Sequence, residues 1–277
     1  YLYRYAQTLK AIGDIRKSDE YLQKFATAKP QDTRATKFMS SKDYMDVIKA
    51  NSGRHNIENA GINSKVMDFG AAFYKNQLVF TSARDTAGSR IHNWTNQGFT
   101  TLYASELKEN GSLAAPEKFS KQITTKVNES TPVFTSDGNT MYFTRNNYNN
   151  GKKGKDEAGT ILLKIYKATN ENGIWSKVTE LPFNSDAYSV AHPALSADEK
   201  FLYFSSNMPG TKGASDLFKV EIKEDGSFGT PINLGDDINT EGRETFPYIA
   251  KDDVLYFASD GHLGLGGLDV FVSKMNA

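Results

Sequence analysis

Acidic side chains recur at one equivalent point of a repeated sequence pattern, and their spacing is the first sign of possible chemistry. The point lies three residues before Pro132, Pro193 and Pro247, and before Ala71 in the first repeat. From the first repeat to the fourth, it is occupied by Asp68, Glu129, Val190 and Glu244. Acidic side chains just ahead of equivalent strands are expected to form a ring when the repeats are arranged around an axis.

Two roles for this ring remain open. Each carboxylate can cap backbone N–H groups of its own or the next repeat, or the ring can form a negatively charged mouth for a basic peptide or a cation. His192 and Arg243 lie close to the same point of the pattern. The candidate binding residues at the mouth are therefore Asp68, Glu129, His192, Arg243 and Glu244.

Signatures of catalysis are missing from the sequence. It has no G-x-S-x-G nucleophile elbow and no H-E-x-x-H zinc motif. The 4 histidines are scattered through different segments, and the absence of cysteine excludes thiol catalysis, disulfides and thiolate metal sites. We expect no catalytic residue, no metal site and no cofactor, so the sequence predicts a protein that is not an enzyme.

Three other segments have residue types found in binding sites. The glycines at 261, 264, 266 and 267 precede a strand rather than a helix, which favours a tight loop over the repeat edge and not a phosphate site. Residues 236–241 are acidic but lack EF-hand spacing, so we expect a solvated loop. Trp94, in the loop from Arg84 to Gly98, is a candidate partner contact or an anchor of its own loop.

Charge and hydropathy argue against nucleic-acid binding and against a transmembrane segment. Lys plus Arg and Asp plus Glu both total 33, so no net field attracts nucleic acid. No apolar run approaches the ~18 residues of a transmembrane helix. The sequence therefore predicts neither nucleic-acid binding nor a transmembrane segment.

Strand-like aromatic blocks position these candidate residues. They recur about every 60 residues, which indicates a repeat architecture. The blocks are Leu78-Val79-Phe80, Met141-Tyr142-Phe143, Leu202-Tyr203-Phe204 and Leu255-Tyr256-Phe257. We expect their aromatic side chains to be core residues.

Each block lies within a hairpin pattern. A short strand with a Pro or small residue and a tight polar turn precede it, and a third strand follows. A weaker fourth segment follows in three repeats, around Pro116–Phe119, Trp175–Val178 and Gly229–Ile232. Such repeats predict a mainly β fold, a β-propeller of four-stranded antiparallel blades, with four blades visible and the last one incomplete.

The first fifty residues lack β alternation and predict helices instead. A helix containing Tyr21, Leu22 and Phe25 must end before Pro30, and the helical pair resembles one tetratricopeptide unit. A further helix is predicted over Lys42 to Ala50, with Ser40 as its N-cap. We expect a tetratricopeptide-like segment at 1–50, a linker at 51–64, and blades at about 65–125, 126–185, 186–240 and 241–277.

Three segments carry a family resemblance: Asn63 to Arg84, Asn233 to Pro247, and Ser259 to Phe271. They resemble multidomain outer-membrane-associated proteins in which a tetratricopeptide region precedes TolB-like (WD40-like) propeller repeats. An OmpA-like peptidoglycan-binding domain usually follows, and members include a component of type IX secretion and gliding. The resemblance implies that this chain is the tetratricopeptide and propeller part, that further blades follow it, and that peptidoglycan is bound only through a domain outside it.

The function expected from this resemblance is a non-enzymatic scaffold that binds other cell-envelope proteins. The resemblance implies a periplasmic location in association with the outer membrane. One alternative is a sensor that binds a peptide or glycan at the channel mouth. A propeller hydrolase is the remaining alternative.

Overall fold

The N-terminal part of the chain is helical, and the rest consists of antiparallel sheets. The structure is a computed structural model and describes residues 1–85, 91–92 and 95–274. Its helices are α1 (Leu2–Ala11), α2 (Ile15–Ala28), α3 (Thr33–Ser40) and α4 (Tyr44–Asn51). Asp14 and Asp32 cap α2 and α3 by accepting backbone N–H groups from Lys17 and Arg34.

The structure corrects the prediction for this helical segment in two respects. α2 ends before Pro30 as predicted, but the sequence analysis missed α3. Ser40 is the last residue of α3 and not a cap, and Asp43 occupies the N-cap position of α4. Of the eight residues of α3, Ala35 and Phe38 are buried, so the helix depends on packing that a local pattern does not reveal.

The sheets follow one another as the predicted repeats. Blade 1 comprises β1 (Asp68–Tyr74), β2 (Gln77–Ser82), β5 (Thr101–Glu106) and β6 (Glu117–Lys118), and its β2–β5 connection contains the hairpin of β3 (Ile91–His92) and β4 (Gln97–Gly98). Blade 2 comprises β7 (Glu129–Phe134), β8 (Thr140–Asn146), β11 (Leu163–Glu171) and β12 (Ile174–Glu180), with the hairpin of β9 (Tyr148–Asn149) and β10 (Lys152–Lys153). Blade 3 comprises β13 (Val190–Leu195), β14 (Phe201–Ser206), β15 (Asp216–Glu221) and β16 (Ile232–Asn233). Blade 4 comprises β17 (Glu244–Ile249), β18 (Val254–Ser259) and β19 (Asp269–Lys274), the strands of its sheet within the described residues.

These sheets confirm the predicted fold class, a propeller of antiparallel blades. The first turn of each blade places one residue at positive φ, namely Lys75, Gly138, Glu199 and Asp253. The outer strands β6, β12 and β16 lie in or next to the three weak segments of the sequence.

The core is made of apolar layers between successive blades. One layer joins blades 1 and 2 around Val79 and Phe143, and a second joins blades 2 and 3 around Tyr142 and Phe204. A third joins blades 3 and 4 around Phe257. Burying one such side chain stabilises the folded state by about 1.5–3 kcal/mol. These apolar layers therefore hold neighbouring blades together.

Candidate functional site

The three acidic residues of the predicted ring lie at the start of their inner strands and bind their own loops. Each carboxylate accepts the backbone N–H of the residue four positions earlier. These pairs are Ser64 to Asp68, Thr125 to Glu129, and Thr240 to Glu244. The hydroxyls of Thr125 and Thr240 donate to the same carboxylates. This geometry corresponds to the capping interpretation of the ring.

The surroundings differ among the three carboxylates. Glu129 is buried, and burial raises its pKa to about 7, although Arg145 lies beside it with Nε 3.5 Å from Oε1. Burial also raises the pKa of Glu244. The pKa of Asp68 falls to about 2, because hydrogen bonds from Ser82, Ser64 and Arg84 together outweigh the effect of its burial. At neutral pH the ring is therefore not uniformly charged.

Arg145 and Glu129 form a buried pair with incomplete hydrogen bonding. The guanidinium donates to the carbonyl oxygen of Ile123 at 2.7 Å and lies over the rings of Phe143 and Tyr166. Oε2 of Glu129 and Nε of Arg145 have no hydrogen-bond partner among the described atoms. Removing such a pair from water costs free energy. Desolvation is therefore the largest influence on the pKa of Glu129.

One residue from each inner strand contacts its counterpart in the next blade. These residues have positive φ and sit at the bulge where strand register shifts: Gly70, Thr131, His192 and Phe246. The His192 ring stacks on Phe246 at 3.8 Å, and its Nδ1 lies 3.3 Å from the Thr131 hydroxyl. Burial lowers the pKa of His192 to about 4, so its ring is neutral at pH 7.

Threonine hydroxyl groups of one blade accept hydrogen bonds from the inner strand of the next blade. The Thr81 hydroxyl of blade 1 accepts the N–H of Thr131 in blade 2 at 3.0 Å. The Thr144 hydroxyl of blade 2 accepts the N–H of His192 in blade 3 at 2.8 Å. The bulge exposes a backbone donor that the neighbouring blade then satisfies.

The other two predicted site residues have different surroundings. Arg243 forms an exposed ion pair with Asp260, 2.8 Å from Nη2 to Oδ2. Trp94 lies outside the described residues, so its predicted role as a partner contact or loop anchor stays a prediction.

The helical segment is anchored on blades 3 and 4 by the loop predicted to be solvated. That prediction is wrong for Asn239 and Thr240, which are buried. Glu241 accepts the backbone N–H of Thr33 at the N-terminus of α3 at 3.0 Å, a favourable position for a carboxylate. Lys212 donates to the Thr33 hydroxyl at 2.6 Å and so ties blade 3 to the same point.

The glycine-rich loop forms the second contact between the blades and the helical segment. Its Leu263 packs against the helical core formed around Leu22 and Phe38. A Cβ at Gly261 would lie 1.7 Å from the Thr240 hydroxyl oxygen, so this position has no room for a side chain. The sequence predicted the loop but not its contact with the helices. Leu263, an apolar residue between glycines, was the available signal.

Blade 4 has an open apolar face, and here one core prediction is wrong. Tyr142 and Tyr203 are buried between blades, whereas their equivalent Tyr256 is 37% exposed. Val270 is 76% exposed, although the equivalent residues of the other blades are buried: Leu102, Ile165 and Leu217. Tyr256 is exposed because no further blade covers this face among the described residues.

Exposed apolar side chains form a row across this face. Tyr248, Tyr256 and Val272 lie opposite one another on β17, β18 and β19, and the two tyrosine rings are 6.2 Å apart. Tyr248 is 63% and Val272 61% exposed. We call the surface formed by Tyr248, Tyr256, Val270 and Val272 the open face.

Comparison with known proteins gives structural similarities but no sequence family. No protein-family model matches the chain, and no curated protein sequence matches significantly. TolB from Acinetobacter baumannii is similar over 76% of this chain at 15% identity and a TM-score of 0.42, and the chain spans 42% of its length. A thermostable family-43 glycoside hydrolase gives 12% identity and a TM-score of 0.48 over 75% of this chain and 70% of its own.

A puromycin-hydrolyzing peptidase of Mycobacterium tuberculosis is also similar, at 14% identity and a TM-score of 0.44. The match covers 75% of this chain and 28% of that protein. TM-scores below 0.5 are too low to assign a function, and the propeller assignment comes from strand order and blade packing. None of the helices in the described part of the chain is both long and apolar enough to cross a membrane.

Proposed function

We propose that this protein is a non-enzymatic scaffold that binds other proteins of the bacterial cell envelope. The observation that carries the proposal is an apolar groove on the helical segment, where Met39 is 48% exposed. Its apolar lining residues are Ala26, Pro30, Ala35 and Met39. Exposed apolar surface of this kind marks interaction sites in soluble proteins. The helical segment, anchored on blades 3 and 4 through Glu241 and Leu263, supplies a rigid neighbour for a bound partner.

The candidate mouth residues give less support to a catalytic or sensing role. The carboxylates of Glu129 and Glu244 are buried and accept hydrogen bonds from their own loops. His192 is stacked on Phe246. Groups engaged in this way are poorly placed to bind a substrate or ligand, which favours a binding protein over an enzyme.

The envelope context is supported by the sequence resemblance described above. In this proposal the protein works in the periplasm, associated with the outer membrane, in a complex such as a type IX secretion or gliding machine. Contact with peptidoglycan would come through a separate OmpA-like domain.

Co-purification with a variant of this groove tests the proposal. Wild-type protein, Met39→Asp and Ile57→Asp are used as bait in envelope extracts, and recovered proteins are quantified by mass spectrometry. Ile57 is 91% exposed and lies in the segment between α4 and β1, so its variant is a matched control for added charge. We expect the same defined partners with wild type and the control and their loss with Met39→Asp.

Two results would contradict this function. Equal recovery of the same proteins by all three baits would show that the groove on the helical segment does not bind them. Turnover of a substrate that is abolished by Glu129→Gln or Glu244→Gln, with a retained fold, would instead identify an enzyme.

A further inference from the structure

A cleft lies between blades 1 and 2, beside their third and outer strands. It has a volume of about 510 Å³, which is within the usual range of ligand-binding clefts. Tyr74, Phe119 and Trp175 line it and pack on one another, with ring centroids 5.6 to 5.9 Å apart. The small residues of the lining leave the space above these rings open: Ala104, Ala114, Ala115 and Gly173.

The next interface, between blades 2 and 3, has a lysine side chain at the equivalent place. The third strands of blades 1, 2 and 3 carry Ala104, Lys167 and Lys219 opposite the middle residue of the aromatic block. Lys167 is half-buried, and its Nζ lies 4.0 Å from the position of a Cβ at Gly226, in the outer turn of blade 3. The equivalent glycine of blade 2 is Gly173, where a Cβ would meet no atom within 4 Å beyond its chain neighbours. The space that Lys167 occupies in one interface is therefore open in the other.

Two carboxylates flank Ala104 on this face of blade 1. Glu106 is two residues further along β5, so its side chain lies on the same face of the sheet. Glu117 lies directly opposite Ala104 on β6. Both carboxylates line the cleft, and neither has an ion-pair partner among the described residues.

The cationic side chains beside the cleft do not form ion pairs with these carboxylates. Lys118 is paired with Asp85. Lys75 lies over the ring of Tyr74, with Nζ 5.2 Å from the ring centroid. The cleft therefore combines two unpaired carboxylates with aromatic rings, and both kinds of group attract ammonium ions.

We propose that this cleft binds a lysine side chain of a partner protein. The alkyl chain lies along Ala104, and the ammonium group lies beside Gly173, within reach of Glu106 and Glu117. The bound lysine thus takes the place that Lys167 has between blades 2 and 3, where an alkyl chain covers apolar surface and its charged end stays near solvent. The inference rests on the proposed function, since the lysine belongs to a bound protein, but the cleft is separate from the groove on the helical segment.

Titration with a lysine peptide, followed by NMR, tests the ligand chemistry. The probe is acetyl-Gly-Gly-Lys-Gly-Gly-amide, added to the isotope-labelled whole protein. The chain has 2 tryptophans, so Trp94→Phe identifies the indole signal of Trp175. We expect saturable shifts of this indole and of the Gly173 amide. The same peptide with norleucine in place of lysine keeps the alkyl chain without the charge and should cause no shift.

Variants of the protein test the position of the ligand. Ala104→Lys fills the cleft with a lysine of the chain itself, as in blades 2 and 3, and should abolish binding. Ala187→Lys adds the same charge at an exposed position between β12 and β13 and should leave binding unchanged. Glu117→Gln keeps the cleft open and should weaken binding about threefold. Unchanged binding in Ala104→Lys or Glu117→Gln would overturn the proposal, as would equal shifts with norleucine or no binding of the lysine peptide.

Carbodiimide cross-linking in envelope extracts tests whether the lysine belongs to a protein. The reagent joins a lysine amine to a carboxylate in contact with it. Wild-type bait should therefore give cross-links from Glu106 or Glu117 to lysines of the recovered proteins. These cross-links should be lost with Ala104→Lys and kept with Ala187→Lys. Recovered proteins with no cross-link to either carboxylate would overturn the assignment to a partner's lysine.

The two proposals fail in different ways. If Met39→Asp removes the envelope partners but the lysine peptide does not bind, the scaffold function stands and the lysine site is wrong. If the peptide binds as expected while Met39→Asp leaves partner recovery unchanged, the lysine site stands and the scaffold function is wrong at the groove on the helical segment.

Discussion

The buried carboxyl of Glu129 is expected to make a contribution to the stability of the protein that falls as pH rises. Burial raises its pKa from 4.5 to about 7 in the folded protein. In the unfolded chain the carboxyl ionises near its ordinary pKa, so between these values the unfolded state loses its proton first. The stabilisation is fully present below about pH 4.5 and is lost as pH rises to about 7.

The magnitude follows from the size of the pKa difference. A shift from 4.5 to about 7 corresponds to about 3 kcal/mol of unfolding free energy. The Glu129→Gln variant cannot ionise but keeps an oxygen that accepts the Thr125 N–H. Relative to this variant, the wild type should lose about 3 kcal/mol between the two pH limits.

The assay is urea denaturation of both proteins across this pH range, with the difference in unfolding free energy plotted against pH. Glu224→Gln, which removes an exposed carboxylate, is the control and should not alter the slope. A flat difference curve for Glu129→Gln would refute the dominance of burial. A difference curve in which the wild type gains stability relative to Glu129→Gln as pH rises would show that the ion pair with Arg145 outweighs desolvation.

Three further changes test the contacts between elements. Thr144→Val removes the acceptor of the His192 N–H and should lower the unfolding free energy by about 1–3 kcal/mol in urea denaturation. An unchanged midpoint would show that this hydrogen bond does not stabilise the contact between blades 2 and 3. Glu241→Ala should speed amide hydrogen exchange in α3 without affecting the blades. Unchanged exchange would show that the anchor is dispensable. Gly261→Ala should lower the melting temperature while Gly229→Ala, with its nearest contact at 3.4 Å, does not, and equal effects would contradict the steric argument.

The positions of the acidic ring were predictable, but its environment was not. Spacing from the repeat prolines placed Asp68, Glu129 and Glu244 at equivalent strand starts. The Ser or Thr four residues earlier is visible in the same repeats and could have indicated a hydrogen-bonded loop. Only the folded structure shows that Glu129 faces Arg145 in a buried pair, because their contact depends on how β7 and β8 pair.

In the helical segment, the sequence predicted the end of one helix but not the presence of the next. Pro30 alone marked the end of α2, since proline cannot continue a helix. α3 was missed because its stability depends on Asp32, on Glu241 from a distant loop and on packing. Asp32 is a local N-cap, whereas the contact of Glu241 with Thr33 joins residues that are far apart in the sequence.

The sequence by itself determined the repeat, the strand alternation and the turns, because these follow from local side-chain period and backbone preference. Tertiary structure decided which faces of those strands are covered. Tyr142 and Tyr256 occupy equivalent places in nearly identical local sequence, yet one is buried and the other forms part of the open face. The physical reason is that burial depends on a neighbouring sheet, and no local pattern encodes whether that neighbour is present.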